Sequence, residues 1–233
     1  MLDFQKGEVL LFDKPLGWTS FDLVKKVRNL IRIKKVGHAG TLDPLATGLM
    51  ILCTGAMTKS IERLTGMDKT YTGTLRLGET TPSYDRETEV NATFPYEHIT
   101  VEQLRGVSAA FTGDLMQIPP AHSAIKVAGK RLYVDARKGI EVEIKPRPVH
   151  VHSFEITAVA FPDVHFSVKC SKGTYIRSLV FDLGKALGSG AVMTELCRTS
   201  IGDYTLETAW QLADFEAMIK EHRAQNDESL SRT

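Results

Sequence analysis

Gly37-His38-Ala39-Gly40-Thr41-Leu42-Asp43-Pro44-Leu45-Ala46-Thr47-Gly48 is the stretch on which the reading of this 233-residue chain turns. It follows a run of six cations, Lys25, Lys26, Arg28, Arg32, Lys34 and Lys35, with no acid anywhere in 25–37. Three glycines and a proline in twelve residues impose a backbone path that other residues resist. The loop holds one carboxylate, Asp43, and one imidazole, His38. Pro44 removes a backbone donor next to Asp43 and stiffens its position. An Asp-Pro step also opens ordinary turns. These residues alone leave both a catalytic carboxylate and a structural turn open.

Working outward, residues 8–13 read as a strand stopped by Lys14-Pro15-Leu16-Gly17. Thr19 to Asp22 has capping-box spacing, and Phe21, Val24, Val27, Leu30 and Ile31 recur at helical intervals, so 20–32 is an amphipathic helix. The span 37–48 reads as a loop, 49–53 as a short buried strand and 56–64 as a helix. Alternation across 69–77 predicts a strand with Tyr71, Leu75 and Leu77 on one face. The acidic span 80–94 reads as a loop or weak hairpin. Helices are predicted over 100–111, 130–138, 174–187 and 207–219, and strands over 149–160, 164–170 and 191–201. The polar end, 226–233, reads as a disordered tail. Strands and helices alternate with hairpin-like pairs among them, which places the chain in the α/β class of α+β type with a mixed sheet.

Composition narrows the function classes. Hydrophobic residues are 42% and charged residues 24%, an ordinary globular balance. No apolar run approaches the length of a membrane span. Cys53, Cys170 and Cys197 are odd in number and widely spaced, which fits reduced thiols in a cytoplasmic protein better than a disulfide framework or zinc site. The total charge of +1 hides a segregation. Residues 121–150 carry seven bases against three acids, while 79–102 carry six acids against one arginine and 203–233 seven acids against three bases. A basic face beside acidic segments is the footprint of a nucleic-acid binder. Gly55 to Ser60 lacks the glycine and spacing of a phosphate loop, and no dinucleotide fingerprint, kinase set or G-x-S-x-G elbow is present. His150 and His152 share a strand face with no third ligand nearby in sequence, so no metal site is predicted.

The glycine-framed loop resembles the active-site motif of the bacterial tRNA pseudouridine-55 synthases, the TruB family. Asp13-Lys14-Pro15-Leu16-Gly17-Trp18-Thr19-Ser20 is similar to that family's opening motif, and Lys69-Thr70-Tyr71 through Leu77-Gly78 to its tyrosine strand. Pro119-Pro120-Ala121-His122-Ser123-Ala124-Ile125-Lys126, with Gly129, Tyr133, Ala136, Arg137 and Gly139, resembles its RNA-contacting insertion, at about 119–148. Cys170-Ser171-Lys172-Gly173-Thr174-Tyr175-Ile176-Arg177 resembles its arginine motif, and Leu196 through Gly202 its last. His122 stands where many members carry an aromatic.

The resemblance implies a pseudouridine-synthase fold, with a mostly antiparallel sheet flanked by helices and one catalytic domain over 1–205. Members often carry a C-terminal RNA-binding domain, but only 31 residues follow Gly202 here, so a C-terminal helix over 206–225 and no separate C-terminal RNA-binding domain are expected. The resemblance implies an isomerase that detaches uracil from ribose at uridine 55 of the tRNA T-loop and rejoins it through C5, without cofactor or metal. Asp43 would be the catalytic carboxylate and Arg177 its ion-pair partner. Tyr71 would stack on a flipped-out base, with Tyr175, Leu196 and His38 lining the substrate site. Lys126, Lys130, Arg131 and Arg137 would contact RNA. Whether Asp43 attacks ribose C1′, attacks base C6 or removes a ribose proton stays open. The expected partner is the tRNA T-loop and stem, met by a cytoplasmic monomer with no membrane and no obligate protein partner. Two rivals are a guide-dependent, dyskerin-type synthase, which shares the loop but ends in basic tails, and a non-catalytic RNA-folding protein, which has no use for Asp43.

Overall fold

The computed structural model describes residues 2–123, 126–127, 130–132, 140 and 142–231. Contacts divide the chain, expected as one domain through 205, into two compact units: Met1–Met67 with Cys197–Thr233, and Asp68–Leu196.

The first unit opens with β1 (Val9–Lys14), whose alternate residues are buried. Helix α1 (Ser20–Ile31) buries Leu23, Val24, Val27 and Ile31. Its capping box is complete: Asp22 N–H donates to Thr19 Oγ1 at 3.1 Å and Thr19 N–H to Asp22 Oδ2 at 2.9 Å. Strands β2 (Val36–His38) and β3 (Ala46–Thr54) follow, then a 3₁₀ turn at Gly55–Ser60 and α2 (Ile61–Thr65). Both ends of the predicted 37–48 loop are therefore strand. β3 pairs antiparallel with β1 from Lys14↔Gly48 to Val9↔Cys53 and with β2 at Val36↔Thr54. These ladders satisfy backbone groups that a free loop would leave to water. Ala39, Leu49, Ile51, Cys53, Leu64 and Ile201 form the core beneath the loop.

In the second unit, β4 (Lys69–Leu77) is followed by the short antiparallel pair β5 (Glu79–Thr80) and β6 (Ala92–Thr93), which closes the acidic segment as a hairpin. Helix α3 (Val101–Ala110), again with a capping box at Thr100 and Gln103, leads to β7 (Gly113–Gln117), a strand not anticipated. β8 (Lys126–Val127) and β9 (Lys130–Arg131) form a small antiparallel hairpin, so the expected 130–138 helix does not begin at Lys130. Then come β10 (Arg147–Ala160), β11 (Asp163–Cys170) and α4 (Ile176–Ala186). β4, β11, β10 and β7 are joined in that order by antiparallel ladders. The mixed, mostly antiparallel α/β architecture is as expected.

β12 (Ala191–Ile201) starts in the second unit and ends in the first. β13 (Tyr204–Thr205) pairs back on its end, and α5 (Leu212–Ser231) completes the chain. This helix starts later than predicted because Leu206–Thr208 is a 3₁₀ turn and Trp210 bridges to Phe12. It also runs past Asn226, where a disordered tail was expected. Past Asn226 the helix carries on through Glu228 and Leu230, both good helix formers, without any apolar periodicity. Arg223 donates to the Leu30 carbonyl, and Lys26 pairs with Glu216 at 2.8 Å, fastening α5 to α1.

Because Thr19 satisfies one of the orphan donors of α1, Thr19→Ala is expected to cost about 1 kcal/mol. Urea unfolding should show a lowered midpoint at unchanged slope, with Thr19→Ser close to the parent.

Candidate active site

The Asp43 loop is held mainly by its own carbonyls. Lys14 is fully buried and its ammonium donates to Pro15 O at 3.0 Å, Trp18 O at 2.7 Å and Pro44 O at 3.4 Å. Gly17 N–H also donates to Pro44 O, at 2.8 Å. Arg198 is 1% exposed and donates through Nε to Leu49 O at 2.8 Å, Nη1 to Thr41 O at 3.4 Å and Nη2 to Gly40 O at 3.3 Å. Ser20 Oγ exchanges hydrogen bonds with Leu42, donating to its carbonyl at 3.1 Å and accepting from its N–H at 2.9 Å. Every residue from Gly40 to Leu42, and Pro44, is thus pinned, with Asp43 half-buried between them. Gly48 takes φ +100° where β12 crosses: a Cβ there would lie 2.4 Å from Arg198 O. Asp13 Oδ1 receives Gly48 N–H at 3.1 Å, and its Oδ2 receives Gln211 Nε2 at 3.0 Å.

The electrostatics follow from burial. Desolvation pushes the Lys14 ammonium down to about 8; the nearby Asp43 carboxylate opposes this and Arg198 adds to it. Lys14 and Asp43 therefore sense each other's charge. Burial also lowers the His38 imidazole, against a hydrogen bond with the Gly40 backbone and with help from Arg198, so it is neutral at pH 7. Among the described residues, His38 Nδ1 is buried without a hydrogen-bond partner.

The other predicted residues lie in the second unit, apart from those outside the described residues. Tyr71, 7% exposed, lies opposite Val168 on β4. Leu196 is buried on β12. Tyr175 caps α4, and Gln117 grips its backbone twice: Tyr175 N–H donates to Oε1 at 2.7 Å and Nε2 to Tyr175 O at 3.0 Å. Arg177 is buried; Nη1 donates to Ser83 O at 3.0 Å and lies 3.5 Å from Asp85 Oδ2, and Nη2 donates to His122 O at 3.0 Å. Asp85 is itself buried, with Oδ1 accepting Glu87 N–H at 3.0 Å. Next to it, Tyr84 holds φ +64° and stacks on Phe181 at 4.0 Å. The side chains of Lys126, Lys130 and Arg131, and all of Arg137, lie outside the described residues. His150 and His152 each pair with an acid, Asp114 at 2.7 Å and Asp68 at 2.8 Å.

Sequence reasoning missed Lys14, Arg198 and Asp85 as site-building residues. Lys14 and Arg198 were in plain view inside quoted motifs. Asp85 was hidden in an acidic segment read only as a loop or weak hairpin. The basic run beside the loop gathers at a cavity of about 630 Å³ in the first unit, where Lys6, Arg32, Lys34, Lys35 and Lys59 converge.

Comparison with known proteins decides what this scaffold is. Residues 28–176 match the model of the TruB family pseudouridylate synthase N-terminal domain, and 177–233 that of the tRNA pseudouridylate synthase B C-terminal domain. The chain belongs to the TruB family of pseudouridylate synthases. It is 50% identical to a tRNA pseudouridine synthase B of Flavobacterium johnsoniae, over 94% of this chain and 98% of that protein. With that of Bacteroides thetaiotaomicron it shares 51%, over 97% and 99%. Among solved structures, an archaeal box H/ACA sRNP Nop10–Cbf5 complex matches with TM-score 0.69 at 28% identity, covering 93% of this chain and 54% of that one. A Cbf5–Nop10–Gar1 complex reaches 0.71 at 28%, covering 92% and 54%. The chain thus spans about half the length of those solved chains.

For a TruB-family enzyme the Lys14 clamp carries a pH signature. Three carbonyls around one nitrogen need three N–H donors, and a neutral amine has only two. Uridine isomerisation should therefore fall on an alkaline limb centred near pH 8. Lys14→Met should turn over slowly at every pH and lose that limb. Folding responds with the opposite sign. The unfolded lysine keeps its proton up to about 10.5, so the folded state gains stability as pH rises from about 8 to there. A rate profile flat to pH 10 would remove Lys14's charge from the account.

Proposed function

We propose that this chain isomerises uridine 55 in the T-loop of tRNA to pseudouridine, with Asp43 as the catalytic carboxylate. The N1–C1′ bond breaks, a C5–C1′ bond forms, C5 loses a proton and N1 gains one. Atoms and electrons balance within the nucleotide, so the reaction consumes no cofactor. The carboxylate assists glycosidic cleavage as nucleophile or base. What carries this reading is the half-buried Asp43, fixed on a loop whose neighbouring carbonyls are held by Lys14 and Arg198. Such immobilisation is what positioning catalysis requires. The curated relatives named as tRNA pseudouridine synthase B support tRNA as substrate.

In this reading Arg177 keeps Asp43 ionised as its ion-pair partner. The target base leaves the RNA stack and rests on Tyr71, with Tyr175, Leu196 and neutral His38 around it. The basic residues of the insertion, Lys126, Lys130, Arg131 and Arg137, and the cationic cavity at Arg32, Lys35 and Lys59 hold RNA phosphates. No helix among the described residues is long and apolar enough to cross a membrane. The enzyme acts as a cytoplasmic monomer without an obligate protein partner.

The test is pseudouridine mapping in a tRNA transcript incubated with the purified protein. Wild type should modify position 55 alone. Asp43→Asn, which keeps size but loses charge and nucleophilicity, should show no turnover while binding tRNA within about tenfold of the parent, under roughly 1.4 kcal/mol. Near-normal turnover by Asp43→Asn would refute the assignment.

A further inference from the structure

A second cavity of the first unit, about 430 Å³, lies along α1 and is lined by Gly17, Trp18, Asp22, Lys25, Lys26 and Asn29. Asp22, Lys25 or Lys26, and Asn29 recur at helical spacing, so they share one face of α1, and Trp18 sits just before the cap at Thr19 that starts it. The half-buried indole offers a ring, Lys25 an exposed ammonium and Asn29 an exposed amide. Lys26 is tied to Glu216 at 2.8 Å. Asp22 also borders the cavity. Its Oδ2 is taken by Thr19 N–H at 2.9 Å and Thr19 Oγ1 at 2.6 Å, and its charge is partly answered by Lys25. An aromatic platform beside cations and amides is how proteins grip single-stranded nucleic acid.

Two observations tie this cavity to the reaction. Lys14 Nζ holds Trp18 O and Pro44 O together, and Gly17 N–H also bonds Pro44 O, so the indole's backbone is fixed to the residue following Asp43. At its other end α1 stops at Ile31, and the chain turns through Arg32, a left-handed cap at φ +58°, into Ile33. These border the cationic cavity with Lys6, Lys34, Lys35 and Lys59. The helix between Trp18 and Arg32, Ser20–Ile31, is roughly 18 Å long. This is a positive track with an aromatic platform at the end nearest Asp43. Two exposed apolar side chains, Leu16 at 64% and Phe21 at 61%, flank Trp18 in sequence.

We propose that this cavity is a nucleotide subsite: a second unpaired base of the substrate RNA, a near neighbour of the target uridine, stacks on Trp18 with its phosphate at Lys25. The strand then follows α1 toward Arg32 and Lys35. The inference rests on the reading that Asp43 acts on RNA. Trp18 takes no part in the chemistry. Its role is to set the register of the strand and add affinity.

The experiment uses the full chain and a tRNA transcript. In Trp210→Phe, where Trp18 is the sole tryptophan, tRNA should quench the fluorescence; in Trp18→Leu, where Trp210 remains, quenching should be lost. Leucine keeps an apolar residue at the entry to α1, so folding should survive, as a thermal melt would check. Trp18→Leu should raise KM five- to hundredfold, the range a lost base stack produces, and Trp18→Phe only a few-fold. The single-turnover rate at saturating tRNA should stay near the parent. Unchanged KM in Trp18→Leu, or no quenching in Trp210→Phe, would overturn the subsite. So would quenching by a free nucleoside monophosphate with none by tRNA. If tRNA quenches Trp18 while no pseudouridine forms at position 55, the subsite stands and the proposed reaction fails.

Discussion

Lys14 and Arg198 are charged, and the protein leaves neither in water. Removing an ammonium or guanidinium from solvent costs several kcal/mol unless hydrogen bonds replace the lost hydration. Here the replacements are mostly loop carbonyls: Pro15, Trp18 and Pro44 around Lys14, and Gly40, Thr41 and Leu49 around Arg198. The two requirements satisfy each other. A loop of seven residues between strands cannot pair its carbonyls in a ladder, and two buried cations cannot stay charged without acceptors. Neither end of the bargain works alone, so the path of residues 39–44 is set by chemistry rather than by loop propensity. Gly48 is the steric counterpart, since only a bare Cα lets β3 pass so close to Arg198.

The second unit repeats the logic with a partner acid. Arg177 is buried beside Asp85, and both are surrounded by backbone groups and hydroxyls from the segment 81–88. Removing one member of such a pair leaves an uncompensated buried charge, so the cluster resists piecemeal change. Tyr84, in the left-handed region and stacked on Phe181, is the strained residue that this packing tolerates. The acidic hairpin, one of the two forms expected for this segment, is therefore part of the scaffold around Arg177.

Most of the fold was legible in the sequence because the signals were local. The capping boxes at Thr19 and Thr100, the alternation of 69–77 and the run 191–201 each state their structure within a dozen residues. What could not be read depended on distant partners. Residues 36–38 become strand because they pair with 52–54 of β3, and β3 reaches back to Gly48 because Gly48 pairs with Lys14 of β1. β7 exists because β10 offers an edge. α5 extends on propensity without an apolar stripe, which a periodicity search cannot see. The candidate site divides the same way. Asp43 stood out through its glycines and proline, and family resemblance supplied Tyr71, Tyr175, Arg177 and Leu196. The roles of Lys14 and Arg198 appear only when residues over 150 positions apart meet at one loop.

The central claim is that the loop's geometry, and not merely the presence of Asp43, makes the site reactive. Arg198→Lys tests it most directly, since lysine keeps the charge but cannot fork to Gly40, Thr41 and Leu49 at once. The measurement is the single-turnover rate of pseudouridine formation at saturating tRNA, with a thermal melt verifying the fold. The account predicts a folded protein that binds tRNA normally and reacts about a hundredfold more slowly, the scale expected for an ångström of misplacement. A folded Arg198→Lys reacting at the parental rate would contradict it.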